Sequence, residues 1–104
     1  MSTNEAKKIV RRYAQKLRDN DFKLRAVYLF GSHAYGRPNK WSDIDVAVVF
    51  DQKKNSLDKD RHSLWNLRMG VDMRIEPHGF LASDFYGGID PMSCEVKKMG
   101  IRVV

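Results

Sequence analysis

Along residues 2–20, "STNEAKKIVRRYAQKLRDN", apolar side chains recur every three to four positions at Ala6, Ile9, Val10, Tyr13, Ala14 and Leu17. Lys8, Arg11, Arg12 and Lys16 fall on the other side, which is the pattern of an amphipathic helix. Ser2 with Glu5 has the form of a capping box, and Asp19-Asn20-Asp21 marks the end. The pattern then changes. "LRAVYLF" at 24–30 and "IDVAVVF" at 44–50 are almost continuously apolar and β-favouring, as expected of strands covered on both faces.

Further on, "SLDKDRHSLWNLRMG" predicts a short helix closed by Gly70 that packs Leu57, Leu64 and Trp65 or Leu67 inward. "VDMRIE" at 71–76 alternates, which predicts a strand with Val71, Met73 and Ile75 on one face and Asp72, Arg74 and Glu76 on the other, ended by Pro77. Two short helical segments follow, "FLASDFYGG" and "DPMSCEVKKMG", the second with Asp90 as N-cap, Pro91 at its first position and Gly100 past its end. "IRVV" predicts a last strand. The sum is an α+β (mixed α/β) domain, a small mixed β-sheet packed with helices.

Length and charge narrow this picture. At 104 residues the chain is expected to form one domain. It carries no 18-residue apolar stretch and no signal-peptide pattern, which predicts a cytoplasmic protein with no membrane association. The single cysteine, Cys94, has no histidine or second thiol at ligand spacing and reads as a packing residue. The formal net charge is +6, and residues 1–25 hold eight Lys/Arg against three Asp/Glu, so the basicity belongs to this first segment, which contains the helix. The basic face of that helix is first of all a solvated surface; its functional reading is a landing strip for an acidic partner or polynucleotide.

The candidate chemistry lies in "LFGSHAYGRPNKWSDIDVAVVF", residues 29–50. A strand ending in Gly31-Ser32 and feeding a turn presents backbone N–H groups and a hydroxyl, a cradle suited to phosphate, and glycine lets the backbone approach closely. Asp43 and Asp45 stand at i and i+2, so both side chains leave the same face of an extended segment. Two carboxylates this close repel and lose solvation on a buried strand. A hard cation such as Mg²⁺ relieves that conflict, since it takes oxygen ligands from one or two carboxylates plus substrate phosphates. Asp72 would complete a three-carboxylate cluster if its strand is a neighbour, which suits a two-metal site.

Gly31-Ser32, ten residues, Asp43-Ile44-Asp45, then Asp72 within "VDMR": this order resembles the nucleotidyltransferase superfamily of DNA polymerase beta, in particular its minimal stand-alone members. The resemblance implies a nucleotidyltransferase domain over residues 1–104. It implies nucleotide binding by Gly31 and Ser32, and Asp43, Asp45 and Asp72 as catalytic metal ligands, with Glu76 as the alternative third carboxylate. It also implies transfer of a nucleoside monophosphate, AMP from ATP, onto a hydroxyl, with Mg²⁺ at two positions. A chain this short is expected to receive its acceptor from a partner or a dimer mate. Members resembling it are paired with a HEPN-type ribonuclease toxin and act as its antitoxin by adenylylating a tyrosine, which makes such a helical protein the expected partner.

Two competing functions stand beside this one. The first is a non-catalytic module that neutralises its partner by occlusion. The second is nucleic-acid binding, which ranks last because no aromatic platform is interleaved with the basic residues. Among the remaining polar residues, His33 reads as a surface or packing residue, Arg37 and Lys40 as solvated or triphosphate-facing, and Arg74 as charge compensation for Asp72. Trp41 and Trp65 read as packing residues, and His62 and His78 as histidines without ligand-like neighbours.

Overall fold

The computed structural model describes residues 1–36, 43–51 and 57–104, with the backbone alone for 57–61. The elements run α1 (Thr3–Asp19), β1 (Leu24–Phe30), β2 (Ile44–Phe50), α2 (Leu57–Leu67), β3 (Ile75–Leu81), α3 (Ala82–Gly87), α4 (Pro91–Met99) and β4 (Ile101–Arg102). The strands form one mixed sheet in the order β3-β2-β1-β4, antiparallel except for the β2/β3 pair. Parallel strands need a crossover, and α2 supplies it.

Local chemistry accounts for the ends of the elements. The Ser2 side chain accepts from the Glu5 backbone N–H at the start of α1. At its other end Asn20 caps the helix and Asp21 takes a positive φ of 68°, a conformation that Asp tolerates better than most residues. Asp90 caps α4 by accepting from the Ser93 N–H, with Pro91 in the first turn and Gly100 at the C-cap.

One predicted element is displaced. Residues 71–74 form a turn rather than a strand, and β3 begins only at Ile75, so Pro77 lies inside the strand instead of ending it. The turn is held by the Val71 and Asp72 N–H groups on the Arg68 carbonyl, both at 3.1 Å, and by the Ile75 N–H on the Asp72 carbonyl at 3.3 Å. Met73, expected to share a face with Val71 and Ile75, is exposed, whereas Ile75 is buried. Proline is tolerated because β3 is the edge of the sheet, where one side of the strand has no ladder to complete.

The two faces of the sheet are covered differently. Val27, Leu29, Ile44, Val46, Val48, Phe50, Ile75 and Leu81 pack against Val10, Tyr13 and Leu17 of α1 and Leu64 of α2, all of them buried. The Tyr13 hydroxyl donates to the Leu64 carbonyl at 2.7 Å and ties the two helices together; burial holds this phenol well above the usual tyrosine range. Of the predicted inward residues of α2, Leu64 is buried and Leu67 partly buried, whereas Trp65 is exposed; the side chain of Leu57 lies outside the described residues. On the opposite face Ala26, Phe30, Ala47 and Val49 pack against Phe85 of α3 and Val96 of α4. Among the described residues no helix is long and apolar enough to cross a membrane.

Candidate functional site

The second face carries the polar residues. β1 runs out at Phe30, directly across from Asp45 in the antiparallel register. Gly31 then turns the chain with φ 75°, and a Cβ there would overlap the Asp45 carboxylate oxygen Oδ2. Glycine is required twice over, by backbone conformation and by the carboxylate packed against it. From Gly31 the chain makes a helical turn in which the Ala34 and Tyr35 N–H groups donate to the Gly31 carbonyl at 3.0 and 3.1 Å.

Two long-range bonds fix this turn. The Thr3 hydroxyl donates to the His33 carbonyl at 2.7 Å, and the Tyr35 hydroxyl to Glu95 of α4 at 2.7 Å. His33 is buried within the turn, and Ser32 is half-buried. Arg37, Lys40 and Trp41, for which triphosphate-facing or packing roles are expected, lie outside the described residues.

Asp45 sits one residue inside β2, and Asp43 just before it, exposed. The parallel register sets Asp45 beside Glu76 and Ala47 beside His78. Since alternate residues share a face, Asp45, Glu76 and His78 all project on the side away from α1 and α2. One ligand atom from each of the three lies within 4.8 Å of the others. His78 Nε2 is 3.8 Å from Asp45 Oδ1 and 3.9 Å from Glu76 Oε1. Its ring is braced by Phe30, centroid to centroid 5.5 Å. Partial burial raises the proton affinity of Glu76, and the neighbouring charge of Asp45 and the more distant one of Asp43 raise it further, against the opposing pull of His78.

Asp72 is not part of that group. It lies in the turn before β3, where both its oxygens accept from the Arg74 guanidinium at 3.0 and 2.7 Å and one also accepts from the Arg74 N–H at 2.9 Å. Those bonds hold its carboxyl below the usual carboxylate range. The pairing with Arg74 is the one that charge compensation predicts. His78, by contrast, was expected to lack ligand-like neighbours and has two. The misplaced strand boundary explains both differences: with β3 starting at Ile75, Glu76 and His78 become the i, i+2 pair that meets Asp45.

Beside His78 a cleft of about 320 Å³ opens around the β3 edge, with Trp65 of α2 on one side, Asp90 and Met92 on the other, and Phe80 further along the strand. His78 lines this cleft, and together with Asp45 and Glu76 it suits a divalent ion. The three side chains offer two carboxylates and an imidazole, all partly accessible to solvent, at spacings a single ion can bridge.

A family model described as polymerase beta, nucleotidyltransferase matches residues 11–76. The match covers more than half of the 104 residues and includes Gly31, Ser32, Asp43, Asp45, Asp72 and Glu76. The chain belongs to this polymerase beta nucleotidyltransferase family.

Relatives carry the comparison further. Over 49 residues, 47% of this chain and 48% of the other, it is 41% identical to MJ1379 of Methanocaldococcus jannaschii, a candidate protein adenylyltransferase by name. It is 54% identical over 33 residues, 32% of this chain and 24% of the other, to the protein adenylyltransferase MntA of Shewanella oneidensis. The aligned part is thus about half the length of the first of these relatives and a quarter of the second. In fold, the chain is similar to one from the crystal structure of a mutant toxin-antitoxin MntA-HpeT. The TM-score is 0.61 at 22% identity, with 90% of this chain and 71% of that one covered. A candidate nucleotidyltransferase from Sulfolobus solfataricus follows with TM-score 0.57 at 23% identity, covering 86% and 83%.

Proposed function

We propose that the protein is a metal-dependent nucleotidyltransferase that moves AMP from ATP onto a hydroxyl of a partner protein, as the antitoxin of a HEPN-type toxin. In this reading residues 1–104 are one nucleotidyltransferase domain working in the cytoplasm, where ATP is available. The observation that carries it is the register of β2 with β3, which sets Asp45 beside Glu76 under the Gly31 turn, with Asp43 close enough for its charge to act on Glu76. The naming of its relatives as protein adenylyltransferases and of a structural neighbour as a toxin-antitoxin supports the choice of acceptor.

Each residue then has a role. Ser32 and the backbone of the turn after Gly31 hold the triphosphate. Asp43 and Asp45 hold Mg²⁺, and Glu76, in place of Asp72, is the third carboxylate. Bound Mg²⁺ supplies charge neutralisation for the triphosphate and the departing pyrophosphate. As the acceptor oxygen bonds to the α-phosphorus, the bond to the bridging oxygen breaks, pyrophosphate leaves, and the acceptor's proton passes to Glu76. The cleft beside His78 gives the acceptor side chain a way in.

Incubation with α-labelled ATP, Mg²⁺ and a HEPN-type toxin, taken from the neighbouring gene where that gene encodes one, tests this. Label should appear on the toxin and fall by about 10³-fold in Asp45→Asn and at least 10²-fold in Glu76→Gln, with Asp72→Asn within a few-fold of the native protein. Tight binding of the toxin with no label transferred would make the protein an occluding module instead. Loss of transfer in Asp72→Asn but not in Glu76→Gln would return the third-carboxylate role to Asp72.

A further inference from the structure

We infer that His78 is a metal ligand and that its nitrogen makes this site selective for Mn²⁺ over Mg²⁺. The inference rests on the reading of Asp45 and Glu76 as metal ligands given above, and adds to it a donor of a different kind.

Three features of the fold bring the imidazole to the carboxylates. Glu76 and His78 stand two apart on β3, so both leave the same face of the strand. The residue across from His78 in the register is Ala47, whose side chain stops at Cβ and leaves the imidazole room to lean along the sheet toward Asp45. Phe30 bounds the ring on the β1 side. The result places Nε2 at 3.8 Å from Asp45 Oδ1 and 3.9 Å from Glu76 Oε1. Those separations are too long for hydrogen bonds. They fall between the spacings of adjacent and opposite ligands around an octahedral ion, about 3.0 and 4.2 Å for bonds of about 2.1 Å. The three side chains are 24% (His78), 26% (Asp45) and 38% (Glu76) exposed, so neither entry of an ion nor retention of water on it is blocked.

The choice of ion follows from the donors. Mg²⁺ takes oxygen and parts reluctantly with its water, and gains little from a nitrogen. Mn²⁺, though the weakest nitrogen binder of the first transition row, accepts imidazole more readily than Mg²⁺ does and also takes carboxylate and phosphate oxygens. A site of two or three carboxylates, one imidazole and a triphosphate therefore favours Mn²⁺.

Titration of the purified protein with each ion by calorimetry, together with pulsed electron paramagnetic resonance of the Mn²⁺ form, tests this without any activity measurement. Mn²⁺ should bind about tenfold or more tightly than Mg²⁺, and its spectrum should show coupling to an imidazole ¹⁴N. In both His78→Ala and His78→Gln that coupling should vanish and the Mn²⁺ affinity fall about tenfold or more, with Mg²⁺ affinity changed less than about threefold. Mn²⁺ bound in the native protein without nitrogen coupling, or a preference unchanged in both variants, overturns the inference. Asp45→Asn separates the two levels. If both ions bind and Asp45→Asn abolishes binding, yet no nitrogen signal appears, only the His78 assignment is wrong. If neither ion binds, or binding ignores Asp45→Asn, the assignment falls together with the metal-site reading on which it rests.

Discussion

The two faces of this sheet are made by the same strands, yet they do different work. On the face under α1 and α2 the strands present Val27, Leu29, Ile44, Val46, Val48, Phe50, Ile75 and Leu81, all apolar and buried. On the other face the residues change along the strands, from Ala26, Val49 and Phe80 under α3 and α4 to Asp45, Glu76 and His78 at the far end. A parallel pair leaves its two strand starts side by side. When helices cover only part of a face, the uncovered end can hold side chains that a sealed core would not accept. The sealed face supplies the stability that lets the open end keep carboxylates which repel one another.

The largest expected effects separate the faces most sharply. Asp45→Asn should lower AMP transfer by about 10³-fold and leave thermal unfolding within a degree or two of the native protein. Phe50→Ala, on the sealed face, should cost about 3–5 kcal/mol, read by denaturant unfolding, and reduce activity only as far as the protein unfolds. Gly31→Ala should do both kinds of damage. Its φ of 75° disfavours any Cβ, which costs about 1–2 kcal/mol, and overlap with Asp45 displaces the carboxylate. Stability and transfer should therefore fall together, which assays of the two on one preparation will show.

Much of the fold was legible in the sequence. The first helix with its Ser2 cap, the apolar runs at 24–30 and 44–50, and the Asp90, Pro91 and Gly100 signals around α4 all emerge as read, because each depends on neighbours in sequence. Gly31, Ser32, Asp43 and Asp45 could be singled out for the same reason. The third strand could not be placed so easily. Most of its apparent alternation, residues 71–74, belongs to a turn pinned by Arg68 and Arg74, and Pro77 looks like a strand end unless the strand is known to lie at the sheet edge. A usable signal was present: Glu76-x-His78 repeats the i, i+2 spacing of Asp43-x-Asp45. Which of these pairs meet is set by the β2/β3 register, and that depends on packing rather than on local sequence.

A smaller effect tests how the sealed face is tied together. Tyr13→Phe removes the hydroxyl that donates to the Leu64 carbonyl and leaves that acceptor buried without its α1 partner. A cost of about 1–2 kcal/mol is expected, with transfer activity unchanged when corrected for the folded fraction. A loss of transfer beyond that correction would mean that the α1–α2 contact reaches the site.

The smallest effects bear on the open end itself, where Asp72 and Glu76, four residues apart, should respond to pH with opposite sign. Asp72 is lowered in the folded protein, chiefly by its hydrogen bonds to the Arg74 side chain. Its contribution is present above its unfolded pKa and is lost as pH falls through the lower folded value. Asp72→Asn should thus cost about 0.5 kcal/mol near neutrality, allowing for the exposed guanidinium, and nothing in strong acid. Glu76 is raised, first by burial and then by Asp45. It favours the folded state most below its unfolded pKa, and that advantage disappears as pH rises through the raised folded value. Near neutrality the ionised carboxylate is a burden, so Glu76→Gln should raise the metal-free melting temperature by about 1–3 °C, with the gain shrinking as pH falls. Divalent metal should reverse the order, stabilising the native protein and leaving Glu76→Gln behind. If Glu76→Gln is destabilising without metal, the carboxylate has a structural partner and the open end is not held in repulsion.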